Sequence, residues 1–291
     1  MSINKEELRK ILPKNGPNID EVSKYIEKYR DEIITIKYGG NVFIDRQIFN
    51  NFIYDLSILQ KLGLSVVVVH GGGPRIKREL DKSNINSKFV RGLRVTDEKI
   101  IDIVEKVLIE FNEDIVSSLK HIGSNGISIN TKENNVLKII PESKELGFVG
   151  IPNNINVEII IDKIKKNLIP IISPLGLGPD NKTYNINGDT AAGAIAKSLK
   201  SRRLLLMTNV EGVLNKDKIL IEEISSSKIM KMIDDKTITE GMIPKINTCL
   251  DAVNNGVTAV AIIDGRKKHS ILFEIFSDKG SGTLIRKWII W

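Results

Sequence analysis

Val66-Val67-Val68-Val69-His70-Gly71-Gly72-Gly73-Pro74 decides the fold: four β-branched residues in a row run directly into three glycines. A strand with one wet face alternates apolar and polar side chains. An unbroken apolar row is buried on both faces, as in a parallel sheet covered by helices. The same grammar occurs upstream, where Ile33-Ile34-Thr35-Ile36 is followed by Lys37-Tyr38-Gly39-Gly40 and then by an amphipathic stretch through Leu62. Downstream, Ile127–Asn130, Ile169–Ser173, Leu204–Thr208 and Ala259–Ile263 read as further core strands. Between them lie helices. Ile100, Val104, Leu108, Phe111, Ile115 and Leu119 form one apolar stripe at spacings of three and four, and Thr190–Leu199 is an alanine-rich helix fit to pack closely on a sheet. The expected fold is α/β, a three-layer sandwich around a mostly parallel open sheet.

Two segments stand apart from this alternation. Residues 134–156 carry short β-like pieces and Pro/Asn turns, which predict hairpins at a sheet edge. Before the first strand, Val22, Tyr25, Ile26 and Tyr29 make a helical stripe. It has no evident place in a sheet already flanked by helices, so it either folds onto its own subunit or buries against a neighbouring one. The run Gly176-Leu177-Gly178-Pro179-Asp180-Asn181 breaks the pattern and puts a lobe boundary near residue 180.

Composition limits the function. The chain has 291 residues, 41% hydrophobic and 27% charged, too apolar for disorder. One cysteine, Cys249, and three scattered histidines exclude a disulfide framework and a Cys/His metal cluster, so no protein-held metal site is expected. No apolar run approaches the roughly 18 residues of a membrane helix. The polar, acidic start Met1-Ser2-Ile3-Asn4-Lys5-Glu6-Glu7 does not read as a leader, so a cytoplasmic chain without a membrane partner is expected. The net charge of +7 invites a nucleic-acid reading. However, 36 acidic residues are interleaved with the basic ones and only 5% are aromatic, so no nucleic-acid partner is expected.

The glycine loops carry the chemistry. In open α/β sheets ligands bind beyond the carboxyl ends of strands, where backbone N–H groups and helix N-termini point outward. Gly39-Gly40 and Gly71-Gly72-Gly73 both have that placement. Each alone is either a tight turn or an anion cradle; with Lys37 beside the first, the pair favours an anion. Neither G-x-x-x-x-G-K-[ST] nor G-x-G-x-x-G occurs, which removes P-loop and dinucleotide-binding readings. Arg91 and Arg94 precede the long helix, suited to hold a carboxylate, while Thr96 or Asp97 caps it. Asn185, Asn187 and Asp189 alternate before the alanine-rich helix and so share a side, although Asp189 is also a plausible N-cap. Lys245 is a second candidate cation. His70, His121 and His269 have no partners readable from sequence, and His70 is expected to end its strand structurally.

In order, Lys37-Tyr38-Gly39-Gly40, His70-Gly71-Gly72-Gly73-Pro74, Gly92-Leu93-Arg94-Val95-Thr96-Asp97, Tyr184-Asn185-Ile186-Asn187-Gly188-Asp189-Thr190-Ala191-Ala192, Thr208-Asn209-Val210-Glu211-Gly212-Val213 and Gly241-Met242-Ile243-Pro244-Lys245 resemble the amino acid kinase family. The Arg94 and Asn185 motifs resemble its acetylglutamate-phosphorylating branch. The resemblance covers about Tyr25 to Ile285. Asn209, where many relatives have Asp, and Gly188, where Ala is common, depart from it.

The resemblance implies ATP with Mg²⁺ as co-substrate and no prosthetic group. It makes residues 33–180 an acetylglutamate lobe and 181–291 an ATP lobe. Lys37 and Lys245 would neutralise charge and Asp189 would organise them. Gly39, Gly40, Gly72, Gly73, Arg94, Asn185 and Asn187 would hold N-acetyl-L-glutamate. Asn209, Val210, Glu211, Gly212, Val213 and Leu214, with Thr237, Ile238 and Thr239, would line the nucleotide site. It further implies that residues 1–32 form an oligomerisation helix building a hexamer, a trimer of dimers. L-arginine would then inhibit at a site involving Tyr25, His269, Glu274, Gly280 and Gly282.

Overall fold

In this computed structural model, residues 4–39, 45–238 and 242–287 are described. Two helices open the chain, α1 (Lys5–Ile11) and α2 (Ile19–Lys28). The first half then runs β1 (Ile33–Tyr38), α3 (Arg46–Lys61), β2 (Ser65–His70), α4 (Gly73–Lys82), β3 (Phe89–Val90), β4 (Leu93–Arg94), α5 (Glu98–His121), β5 (Gly126–Ile129), β6 (Leu137–Pro141), β7 (Gly150–Ile155), α6 (Val157–Lys165) and β8 (Ile169–Ile172). The second half runs β9 (Leu175–Leu177), β10 (Thr183–Asn185), α7 (Gly188–Ser198), β11 (Arg203–Thr208), β12 (Glu223–Ser225), α8 (Ser226–Asp234), α9 (Ile243–Asn254), β13 (Ala259–Asp264), α10 (Ser270–Phe276) and β14 (Gly282–Arg286).

Eight strands make the central sheet in the order β12-β14-β13-β11-β1-β2-β8-β5. Every neighbouring pair is parallel except β13 and β14. Both faces are covered, which is why the strands read as unbroken apolar rows. Ile34, Ile36, Val66, Val68, Leu205 and Met207 enter one core with α2, α3, α5 and α10. Val67, Val69, Leu204 and Leu206, on the other face, join a second core with α6, α7, α8 and α9. Connections leave β1 to β2 on one side, and the chain later returns to β11 on the other. The carboxyl ends of these central strands therefore form the switch point where a ligand crevice opens.

Residues 134–156 form the β6–β7 hairpin at the edge of a separate four-stranded sheet, β10-β9-β6-β7. One expectation is corrected. The N-terminal stripe has a place on its own chain: Val22, Tyr25 and Tyr29 are 0%, 8% and 1% exposed in the α3–α10 core. Helix α2 packs beside the seven-residue α10, about 10 Å long, on the face that α3 and α5 also cover. Arg203 Nε donates to Tyr29 Oη at 2.9 Å, tying α2 to β11.

Candidate active site

Alternation along β1 sends Ile34 and Ile36 to one core and Thr35 and Lys37 to the other face, beneath α7 and α9. Lys37 thereby meets Asp189, the second residue of α7. Its Nζ lies 2.8 Å from Asp189 Oδ1, a nearly buried ion pair. Lys245, near the start of α9, donates from Nζ to Asp189 Oδ2 at 2.5 Å. One carboxylate thus parks two ammonium groups. Burial alone would raise the Asp189 carboxyl, but Lys37 and Lys245 outweigh it and hold the group well below the usual carboxylate range. Burial pushes Lys37 down from its ordinary value; Asp189 opposes that fall, and the charge of Lys245 adds to it.

Asp189 is not the cap of α7. Asn187 is, its Oδ1 accepting from the N–H groups of Asp189 and Thr190 at 2.9 and 3.1 Å. Capping fixes the first turn and so points Asp189 at the lysines. Gly39 has a steric role: a Cβ built there would sit 1.8 Å from Lys37 Nζ. At Gly72 a Cβ would lie 2.4 Å from Leu108 Cδ2, whereas at Gly73 it would meet nothing within 4 Å.

Beside the pair lies a cavity of about 270 Å³, lined by Lys37, Asp189, Gly71, Gly72, Gly73, Arg94, Asn185 and Asn187, with Phe89 and Pro174 among its apolar walls. Arg94 stands on β4, its guanidinium 4.7 Å from the Phe89 ring centroid and donating to Ser87 Oγ. Asn185 Nδ2 donates to Thr96 Oγ1 at 3.4 Å, and Thr96 in turn donates to the Arg94 carbonyl at 2.8 Å. Asp97 caps α5, accepting from the N–H groups of Lys99 and Ile100. Phe89, on the two-residue strand β3, and Pro174, just beyond β8, have no signal in the sequence because so short a strand and a single loop residue carry no periodic pattern.

A second cavity, about 500 Å³, is lined by Val210, Gly212, Val213, Leu214, Thr237 and Ile238 together with Lys216, Lys218, Asp235 and Met242. Met242 caps α9, the helix that carries Lys245. Asn209 and Glu211 do not line this cavity; Glu211 pairs with Lys267 at 3.2 Å. Gly40 and Thr239 lie outside the described residues.

Tyr25, Glu274 and Gly280 converge on a third, smaller cavity of about 120 Å³ with Lys28, Arg203 and Arg286. Tyr25 Oη donates to Asp278 Oδ1 at 2.7 Å. His269 and Gly282 do not line it. His269 Nδ1 is 2.6 Å from Asp55 Oδ1 on α3. Gly282 sits inside β14, where a Cβ would lie 2.0 Å from the Ile262 carbonyl.

Among the described residues no three His, Cys, Asp or Glu side chains cluster as a metal site, and Asp189 is taken up by two lysines. The described residues therefore offer Mg²⁺ no protein-built site, and an ion here would depend on a ligand's own oxygens and water.

The family model for the amino acid kinase family matches residues 32–264. An acetylglutamate kinase of Pelagibacter ubique is 55% identical over 286 residues, covering 98% of this chain and 99% of that one. Another, of Methylobacterium nodulans, is 44% identical and covers 90% and 91% respectively. The solved N-acetylglutamate synthase of Neisseria gonorrhoeae, complexed with coenzyme A and N-acetyl-glutamate, shares the fold with a TM-score of 0.84 at 22% identity. That match covers 93% of this chain and 63% of the synthase, so the chain spans less than two thirds of it.

Proposed function

This chain belongs to the amino acid kinase family, and we infer that it phosphorylates the γ-carboxylate of N-acetyl-L-glutamate with ATP. The products are N-acetyl-L-glutamyl 5-phosphate and ADP, a step of arginine biosynthesis. The observation that carries the reading is the Lys37–Asp189–Lys245 bridge at the wall of a cavity holding a glycine loop and an arginine.

The chemistry suits those residues. A γ-carboxylate has a reference pKa of about 4.3 and is ionised at neutral pH, so the reaction needs no general base. The barrier is charge, since one anion must approach another. Lys37, Lys245 and the N–H groups of the glycine loop stabilise the negative charge of the transferring phosphoryl group. Arg94 and Asn185 hold the acceptor's remaining carboxylate and acetamide. ATP occupies the 500 Å³ cavity, within the usual range for a nucleotide-sized ligand, and Mg²⁺ bound to it supplies further charge neutralisation. On this reading residues 33–180 carry the acceptor and 181–291 the nucleotide. The enzyme works in the cytoplasm.

The regulatory part of the proposal is a hexamer inhibited by L-arginine, with Tyr25, Glu274 and Gly280 at the inhibitor site; their convergence on one cavity supports it. His269 acts there only through α10. Inhibition requires arginine to bind two states of the enzyme with different affinity.

The test is to incubate the enzyme with ATP, Mg²⁺ and N-acetyl-L-glutamate, trap the acyl phosphate with hydroxylamine, and repeat the assay with L-arginine. The hydroxamate forms with ATP and diminishes with arginine. Absence of hydroxamate removes the kinase reading; an unchanged yield with arginine removes only the regulatory one.

A further inference from the structure

His70, buried completely at the end of β2, has no part in the chemistry above, yet its ring touches the glycine loop. His70 Nδ1 lies 2.8 Å from the Gly71 carbonyl oxygen. A carbonyl only accepts, so Nδ1 carries the proton and Nε2 is the acceptor. Nε2 lies 3.2 Å from Ser173 Oγ and 3.2 Å from Asn112 Nδ2. Asn112, also fully buried, donates to the Ile171 carbonyl at 2.8 Å and to Ser173 Oγ at 3.0 Å. These three side chains, from β2, α5 and the end of β8, lock one tautomer and one ring orientation. Burial pushes the imidazole down to about 4, the Gly71 bond opposing and Arg75 reinforcing the fall, so the ring stays neutral around pH 7.

Gly71 is gripped from both sides, because its N–H donates to the Tyr38 carbonyl at 2.7 Å. In a trans peptide the carbonyl of one residue and the N–H of the next point in opposite directions, and the described chain contains no cis peptide. Drawing the Gly71 carbonyl toward the buried ring therefore turns the Gly72 N–H outward, toward the cavity that Gly71, Gly72 and Gly73 line. The Gly72 carbonyl is engaged by the Ile76 N–H at 2.9 Å, inside α4, which points the Gly73 N–H the same way. Neither of these two N–H groups has a hydrogen-bond partner among the described residues. The network also leaves the buried Asn112 Oδ1 without a partner, a cost that an apolar core would avoid.

We propose that His70, oriented by Ser173 and Asn112, is the positioning residue that aims the Gly72 N–H at the group being transferred. The proposal rests on the kinase reading above and extends it to a residue that touches no substrate.

Its test uses the two amides that mimic the two ring nitrogens. In His70→Asn the side-chain amide falls near Nδ1 and keeps the donor to Gly71. In His70→Gln it falls near Nε2 and loses that donor. Steady-state kinetics of ATP-dependent acetylglutamate phosphorylation should place His70→Asn within about five-fold of the parent kcat and His70→Gln roughly 30-fold below it. The KM for ATP should stay unchanged in both, as expected when an oxyanion donor is misdirected rather than deleted. A merely structural histidine would favour Gln, the closer match in volume. His70→Gln at least as active as His70→Asn, or losses confined to the KM for ATP, would overturn the proposal. An inactive parent enzyme would instead overturn the kinase reading.

Discussion

Two lysines of like charge share one carboxylate, and each residue in that bridge has a distinct task. Lys37→Ala and Lys245→Ala should each lower kcat by about two to three orders of magnitude, since in the proposed reaction each removes a charge that stabilises the transferring phosphoryl group. Near-parental turnover in either variant would remove that residue from the mechanism. Gly39→Ala offers a sharper test, because the added Cβ would occupy space 1.8 Å from Lys37 Nζ. The ammonium must move and the backbone need not, so kcat should drop by roughly ten-fold or more with little change in thermal midpoint. An unaffected kcat would mean that Lys37 works from another position. The pH dependence follows from the same geometry. Asp189 is held low and stays ionised at any pH near neutrality, so it adds no acid limb there. Lys37 is held below its ordinary value of 10.5, so the alkaline limb of kcat/KM, which reports the free enzyme, should set in below that pH. Replacement by arginine should carry the limb upward; a limb unmoved in Lys37→Arg belongs to another group.

At the scale of elements, sequence pattern revealed what is buried but not against what. The rows at 33–36, 66–69, 204–208 and 259–263 became β1, β2, β11 and β13 because burial on both faces leaves an unmistakable apolar run. The three-residue β12 and five-residue β14, at one end of the sheet, have too short a run to show a pattern in the sequence. The stripe of α2 marks a buried face, but periodicity identifies a face and not its neighbour, which here belongs to the same chain. Asn187 and Asp189 were seen to share a side, yet only the backbone distinguishes the cap from the charge carrier. The pairing of His269 with Asp55, 214 positions apart, had no local signal at all. The N-terminal packing can be tested through Leu8, fully buried in α1. Leu8→Ala should cost about 2 kcal/mol in urea denaturation, near the low end for a buried leucine because a short terminal helix can shift to close the gap. An unchanged midpoint would mean that α1 does not pack on the α3–α10 core.

For the whole molecule, one sheet unites two sites. Strands β1, β2 and β8 end at the 270 Å³ cavity, β2 running straight into the glycine loop, while β11 and β13 lie on the side of the proposed nucleotide motifs. α7 and α9 bring Asp189 and Lys245 back over β1, so the charge bridge stands at the centre of the sheet. That arrangement fits the movement of a phosphoryl group across the switch point, from a nucleotide on one side to a carboxylate on the other. No helix among the described residues is long and apolar enough to cross a membrane. The acceptor separates this enzyme from others of its family, and in the function proposed above Arg94 and Asn185, which line one cavity, make that choice. An ammonium in place of the acetamide would bring a cation into a cavity that already holds Arg94 and Lys37. The most direct measurement is therefore kcat/KM for ADP formation with N-acetyl-L-glutamate, compared with L-glutamate, L-aspartate, carbamate and UMP at equal ATP and Mg²⁺. The account predicts a preference for N-acetyl-L-glutamate of at least about 100-fold over L-glutamate and L-aspartate, whose unpaired ammonium would have to be buried, and faster turnover than with carbamate or UMP. Equal or better turnover with any of the other four acceptors would contradict it.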